Sequence, residues 1–189
     1  MSTPIPRYGP TPAPARSTWR YGAPAIVAHW LLAVLIGGMA GLGWYMMTIE
    51  KQPAGPWYFD LHKSVGLTVL ALVALRVLWR LLHTPARLPA SLPAWEAGLS
   101  SVTHRLLYGC MIVMPVTGLL GASYTRSGVK FFGLSLPHWK TPDHDTAELF
   151  FSIHSVTVWV LVALVAVHAA AGLKHLLVDR DAVFQRMWF

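Results

Sequence analysis

The sequence predicts an all-α membrane protein, a bundle of four transmembrane helices in a single domain. Hydrophobic residues make up 54% of the 189 residues and charged residues only 12%, whereas a soluble domain carries about 25% charged residues. Four long stretches that are almost free of charge alternate with polar segments rich in proline and glycine. Each stretch reaches the roughly 20 residues that a helix needs to cross a bilayer. A disordered chain is excluded, and a water-soluble globule is not expected.

Charge and cysteine content exclude several classes of function. The net charge of +7 could suggest a nucleic-acid partner, but the lysines and arginines lie between the apolar stretches and form no basic arm or RNA-binding motif. Cys110 is the single cysteine. The chain therefore has no intrachain disulfide, no covalent C-x-x-C-H haem attachment, no Cys₄ zinc site and no cysteine-bound iron–sulfur cluster.

The first quarter of the chain contains a tail and the first span. Residues 1–20 hold five prolines and three arginines without an apolar core, which predicts a proline-rich extended tail and not a secretory signal. Residues 21–189 form the predicted membrane domain. Its first span covers about residues 23–48, and residues 51–56, with two prolines and a glycine, predict a short turn.

The second span covers about residues 60–82 and carries more charge than the others. Lys63, Arg76 and Arg80 lie near its ends, where long side chains can extend to the lipid headgroups. Residues 83–97 follow as a connector with three prolines.

The third and fourth spans complete the bundle. The third covers about residues 102–124 and includes Pro115, which should kink it. Residues 125–146 predict a polar loop, and the fourth span covers about residues 147–177. Four spans place both termini on one side. With the tail in the cytoplasm, ten of the 15 lysines and arginines face inward, which supports cytoplasmic termini.

The predicted spans contain six histidines, and four of them, His29, His62, His154 and His168, are expected at membrane depth, where an ionisable residue is costly and indicates function. His154 and His168 are fourteen residues apart on the fourth helix, so their side chains share nearly one face and lie about 21 Å apart along the axis. The topology adds one partner at each depth. His29 and His168 form an inner pair, and His62 and His154 form an outer pair.

Two histidine pairs at two depths are suited to two non-covalent haems, since imidazole is a natural axial ligand of haem iron and bundle cores hold such cofactors. A zinc site needs three or four ligands in one layer. The simpler alternative is that the histidines are polar residues hydrogen-bonded between helices.

Several segments together resemble the bacterial cytochrome b561 family. They are Ala28-His29-Trp30-Leu31, Leu61-His62-Lys63-Ser64-Val65-Gly66, Leu75-Arg76-Val77-Leu78-Trp79-Arg80, Gly118 after Pro115, His154, and Val167-His168 through Lys174-His175. The resemblance extends from about residue 21 to 187. It implies a four-helix protein of the bacterial inner membrane, with two haem b groups stacked across the bilayer and bound by His29, His62, His154 and His168.

The resemblance also implies electron transfer to or from a membrane quinone such as ubiquinone. Some members resemble superoxide:ubiquinone oxidoreductases, and Lys63 beside His62 is a candidate for attracting the anion. Arg76 and Arg80 are expected to contact haem propionates or quinone. His104, Tyr108 and His175 are candidate quinone contacts, because titratable groups beside a cleft mark functional sites.

Two other functions stay open at this point. Related sequences are quinone-linked cytochrome b subunits, which carry electrons for a partner dehydrogenase or hydrogenase. From a different class, a membrane transport protein for a transition metal could use the loop at residues 137–145, where two histidines and two aspartates lie close together.

Overall fold

Four long α-helices make up most of the structure, a computed structural model that describes residues 20–83 and 92–189. The predicted tail therefore lies outside the described residues except for Arg20, as does most of the connector after the second helix. In the described part, all four helices are long and apolar enough to cross a membrane. The predicted four-helix membrane bundle is confirmed. The helices are α1 (Ala23–Thr48), α2 (Gly55–Leu82), α3 (Ala94–Ser123) and α4 (His144–Lys174).

Proline and glycine set where the first two helices begin. Proline stands in the first turn of both α1 and α2, where its missing N–H removes no intrahelical bond. Helix α2 begins at Gly55, whereas the predicted span begins at about residue 60. A Cβ on Gly55 would lie 2.6 Å from the carbonyl oxygen of Glu50, so the tight turn between the helices requires glycine here.

A short hairpin interrupts the predicted polar loop between α3 and α4. Strands β1 (Lys130–Phe131) and β2 (Leu134–Ser135) pair antiparallel, and Gly133 in the turn has a φ of 88°. The segment that we call the hairpin, residues 129–135, packs against the beginning of α2.

The end of the chain returns to the beginning of α1. Helix α4 continues as a π-helical turn (His175–Asp179), and a 3₁₀ turn (Phe184–Met187) follows. The indole nitrogen of Trp30 donates to the carbonyl of Met187 at 2.7 Å. The C-terminal segment therefore lies next to the helix turn that carries His29.

The apolar contacts within the bundle are unevenly distributed. Helix α1 packs on α2, α2 on α3, and α3 along α4. Small buried clusters mark two of these interfaces: Leu32, Met39, Val69 and Val73 between α1 and α2, and Leu107, Met114 and Leu161 between α3 and α4. Many large apolar side chains instead face outward, as a lipid-facing surface requires. Between α1 and α4 the bundle encloses a cavity instead of a packed seam.

Candidate functional site

The interior cavity is the dominant feature of the bundle. Its volume is about 3000 Å³, and all four helices line it. All four predicted histidine ligands contribute to its wall. Gly37 and Gly41 of α1 also line it, and a Cβ at either position would meet no other atom within 4 Å. The cavity can therefore hold a large group against the backbone of α1.

His29 of α1 and His168 of α4 face each other near the end of the bundle where α1 begins. Their ring centroids lie 6.1 Å apart, at an interplanar angle of 68°. His104 of α3 lies beside them, 5.2 Å from His168 between centroids, and its Nδ1 donates to the carbonyl of Ser100 at 2.6 Å. The structure thus places a predicted quinone contact directly beside a predicted ligand.

Arg76 of α2 also reaches this pair. Its guanidinium donates to the carbonyl of Ala25 at 3.0 Å and lies 3.4 Å from Nδ1 of His29. Arg80, one turn further along α2, donates to the hydroxyl of Tyr21 at 3.2 Å. Both arginines line the cavity, so two cations flank the His29–His168 pair.

His62 of α2 and His154 of α4 form the second pair, with ring centroids 6.2 Å apart at an angle of 76°. The Nδ1 of His154 donates to the carbonyl of Met114 at 2.7 Å. This bond fixes the ring and its tautomer and leaves Nε2 free to bind a metal. In the described part of the chain, Nδ1 of His62 is the buried side-chain atom that lacks a hydrogen-bond partner.

Two glycines make room for the second pair. A Cβ on Gly118 of α3 would lie 2.9 Å from Nδ1 of His154, too close for an unshifted ring. A Cβ on Gly43 of α1 would lie 3.3 Å from Cε1 of His62. Both rings therefore lie against helix backbone.

These residues fit the haem that the four histidines imply. Two metal–nitrogen bonds of about 2 Å, added to about 1 Å from each nitrogen to its ring centre, separate two facing imidazoles by about 6 Å. Both pairs have that spacing. The partnerless nitrogen of His62 and the open space beside Gly37 and Gly41 are also consistent with a group that occupies the cavity.

The remaining predicted quinone contacts lie in different surroundings. Tyr108 lines the cavity. His175 is buried among carboxylates, with Nδ1 2.8 Å from Asp181 and 3.2 Å from Asp179 and with Nε2 3.7 Å from Glu96. His175 thus belongs to an ion-pair cluster at the edge of the cavity.

The same cluster bears on the metal-transport alternative. Within residues 20–83 and 92–189, the ligand atoms close enough to share one metal ion belong to Glu96, His175 and Asp179. The ammonium of Lys174 already pairs with Glu96 at 3.1 Å and with Asp179 at 2.6 Å. The loop at residues 137–145, in which the sequence suggested a metal site, contributes no residue to this group.

Lys63, the candidate for attracting an anion, is already paired. Its ammonium lies 2.9 Å from the Asp60 carboxylate and donates to the carbonyl of Gly128 at 3.2 Å. Lys130 of the hairpin pairs with the same carboxylate at 2.8 Å. The sequence reasoning did not pair Asp60 with Lys63, although its position three residues earlier on a helix is a signal for such a pair.

Comparison with known proteins agrees with these observations. A family profile described as prokaryotic cytochrome b561 matches residues 20–189. Cytochrome b561 homolog 2 of Escherichia coli K12 is 29% identical over 175 residues, which cover 89% of this chain and 90% of that protein. The probable superoxide oxidase CybB of Yersinia pestis is 27% identical over 172 residues, 89% of this chain and 95% of that protein. Cytochrome b561 homolog 1 of E. coli K12 is 24% identical over 176 residues, 89% of this chain and 96% of that protein.

The family profile covers both histidine pairs and all four membrane helices. The chain therefore belongs to the prokaryotic cytochrome b561 family, whose members are membrane electron-transfer proteins that bind haem b.

Proposed function

We propose that this chain is a di-haem b cytochrome that exchanges electrons with a membrane quinone. His29 and His168 hold one haem, and His62 and His154 hold the other. The observation that carries this proposal is the equal spacing of the two histidine pairs, 6.1 and 6.2 Å between ring centroids, in one cavity. Because haem iron cycles between two oxidation states, two such groups at different depths provide a path for single electrons.

The protein's own residues prepare each site. The carbonyl of Met114 holds His154 in the tautomer whose Nε2 can bind iron. Arg76 and Arg80 place two cations at the cavity wall beside His29, where they can neutralise haem propionates. Apolar residues of both buried clusters, among them Leu32, Met39 and Leu107, line the same cavity as the two pairs.

The quinone is proposed to bind beside the His29–His168 pair. Reduction of a quinone consumes two electrons and two protons, so its pocket needs groups that donate or relay protons. His104 lies 5.2 Å from His168, and Tyr108 lines the same cavity. His175 connects this region to the carboxylates of Asp179 and Asp181.

Superoxide is the proposed electron donor, at the face of the bundle that carries His62. A relative that this chain matches over 95% of that protein's length is named a probable superoxide oxidase. In the proposed reaction, two superoxide anions each lose one electron and become O₂, and one quinone gains two electrons and two protons and becomes quinol. Asp60, Lys63 and Lys130 together carry a net charge of +1 at this face, which favours the approach of a small anion.

The protein is proposed to lie in the bacterial inner membrane with both termini in the cytoplasm. In this orientation the His29–His168 pair is the inner pair, the His62–His154 pair is the outer pair, and the hairpin faces outward. The excess of lysine and arginine in the segments that would face the cytoplasm supports it.

The haem content and the ligand pairs can be tested together. The purified protein should be red and contain two haem b per chain in a pyridine haemochrome assay. His62→Ala and His154→Ala should each remove one and the same spectral component, and His29→Ala and His168→Ala should each remove the other. His144→Ala, at an exposed histidine at the beginning of α4, is the matched control and should retain both. Loss of the same component from His29→Ala and His62→Ala would contradict the pairing.

The donor is tested by the rate of haem reduction. Superoxide should reduce the oxidised protein faster than it reduces a haem-free control, and the rate should fall as salt is added because exposed charges are screened beyond about 8 Å at physiological ionic strength. Lys63→Gln should slow the reaction without changing the haem spectrum. Rapid reduction by quinol with no reaction with superoxide would instead identify a quinone-linked carrier for a partner dehydrogenase or hydrogenase.

A further inference from the structure

The hairpin is tied to α2 by residues on both sides of His62. Before it in sequence, the Asp60 carboxylate pairs with Lys130 of the hairpin at 2.8 Å and with Lys63 of its own helix at 2.9 Å. After it, the hydroxyl of Ser64 accepts from the backbone N–H of Phe132 at 2.9 Å and donates to the carbonyl of Asp60 at 2.7 Å. We call this set of contacts the clasp.

The clasp lies at one end of the cavity. Asp60, Lys63 and Lys130 line the cavity, as does Val129, which is only 5% exposed. The ammonium of Lys63 also donates to the carbonyl of Gly128, just before the hairpin. The hairpin therefore covers the end of the bundle that contains the His62–His154 pair, and the clasp holds it there.

The burial of the clasp residues indicates that these contacts stabilise the attachment of the hairpin to α2. Ser64 is 1% exposed, and removal of its hydroxyl would leave the N–H of Phe132 without this acceptor. The side chain of Asp60 is 26% exposed and that of Lys63 is 18% exposed, so solvent screens their charges less than at an open surface. Asp60 also pairs with both Lys63 and Lys130.

We propose that Asp60 is a positioning residue for the outer haem site. It holds the hairpin over that site and sets the charge beside it. This proposal rests on the proposed function, because it assumes a haem between His62 and His154. With haem bound between His62 and His154, a carboxylate two residues before one of its ligands would stabilise the oxidised form, which carries more positive charge. Asp60 therefore lowers the reduction potential of the outer haem and keeps the two lysines partly neutralised.

Asp60→Asn in the full-length, haem-loaded protein separates these effects from a general loss of folding. The variant should raise the midpoint potential of the component that His62→Ala removes, and leave the other component unchanged. Trypsin added to the outer face of vesicles should cleave after Lys130 about fivefold to tenfold faster, since two partly exposed ion pairs are lost. Asp60→Glu should restore both properties towards the original values.

Two further variants serve as controls. Ser64→Ala should speed cleavage of the hairpin without the same rise in potential, because it releases the cover but keeps every charge. Asp145→Asn removes an exposed carboxylate that does not line the cavity, and it should change neither readout.

The proposal fails if Asp60→Asn behaves like Asp145→Asn in both measurements. It also fails if both haem components shift equally, since the effect would then be a general change in charge. If no haem is bound between His62 and His154, the proposed function fails at that site, which the haem count shows independently. The cleavage rates still report whether Asp60 holds the hairpin.

Discussion

His154 shows how closely a single side chain is fitted to the helix beside it. Its ring lies against the backbone of α3, where Nδ1 donates to the carbonyl of Met114 at 2.7 Å. One turn later in α3, Gly118 leaves the space that the ring occupies. A residue with a side chain at position 118 would force the ring away from its hydrogen-bond acceptor.

Gly118→Ala should therefore disturb the haem site at His62 and His154. The added Cβ would lie 2.9 Å from Nδ1 of His154, so the ring or the helix must shift at a cost of about 1–3 kcal/mol. We expect loss or a spectral shift of the component that His154→Ala removes, in a reduced-minus-oxidised spectrum.

Gly109→Ala is the matched control for this prediction. Gly109 lies on the same helix, and its added Cβ would meet no other atom within 4 Å. Alanine is also the better helix former by about 1 kcal/mol, so the control should keep both haems and be slightly more stable. Equal behaviour of the two variants would show that Gly118 is not needed for the position of His154.

At the scale of single elements, α4 is the helix on which both sites depend, because it supplies one histidine to each pair. Its first turn is fixed by Asp143, whose carboxylate accepts from the backbone N–H of Thr146 at 2.7 Å. This hydrogen bond lowers the pKa of the Asp143 carboxyl below its ordinary value. The cap is therefore strongest when Asp143 is ionised.

The beginning of α4 should become less stable in acid. Because the pKa of Asp143 is lower in the folded protein, its contribution is fully present above the ordinary pKa of about 4 and is lost as the pH falls through the lower folded value. Hydrogen exchange of the amides at the start of α4 should accelerate in that range. Asp143→Ala should show fast exchange at every pH, whereas Asp143→Asn should remove the pH dependence and keep the slow exchange, since asparagine is an equally good cap. A pH dependence that persists in Asp143→Asn would assign it to another group.

At the scale of the whole molecule, the bundle has a large cavity where a soluble four-helix bundle has its core. The two buried clusters lie between α1 and α2 and between α3 and α4, while α1 and α4 face each other across the cavity. A group that fills this space would join the two halves. The bound cofactors should therefore contribute a substantial part of the stability.

Protein made in haem-deficient cells should unfold at a lower temperature than the haem-loaded protein. Ligands present at about 1,000 times their dissociation constant stabilise by about 4 kcal/mol, which for a chain of this size corresponds to about 8–16 °C in Tm. The reaction of a thiol-sensitive dye with Cys110 measures the transition, because Cys110 is the single cysteine and lies partly buried in α3. Addition of haem should restore the higher Tm, and an unchanged Tm in the haem-free protein would contradict a structural role for the cofactor.

Sequence by itself determined the class of the protein and its four helices. Long apolar stretches between polar segments leave few alternatives, since only a helix satisfies its own backbone hydrogen bonds within lipid. Helical periodicity also placed His154 and His168 on one face, because fourteen residues rotate through nearly four whole turns. The directions of the helices added His29 and His62 and sorted the four histidines by depth, and the family resemblance then assigned the same four as haem ligands.

Only the tertiary structure decided which groups meet across helices. His104 lies beside His168, Lys130 of the hairpin is paired with Asp60, and the hairpin packs against the beginning of α2. The sequence also could not show that α2 begins at Gly55, since proline and glycine are equally typical of a turn and of a first helical turn. Whether residues of different elements come into contact depends on how each helix is rotated and on the path of the loops. The spacing of residues along a chain determines which of them share a face of one helix. Packing between helices determines which partner that face contacts.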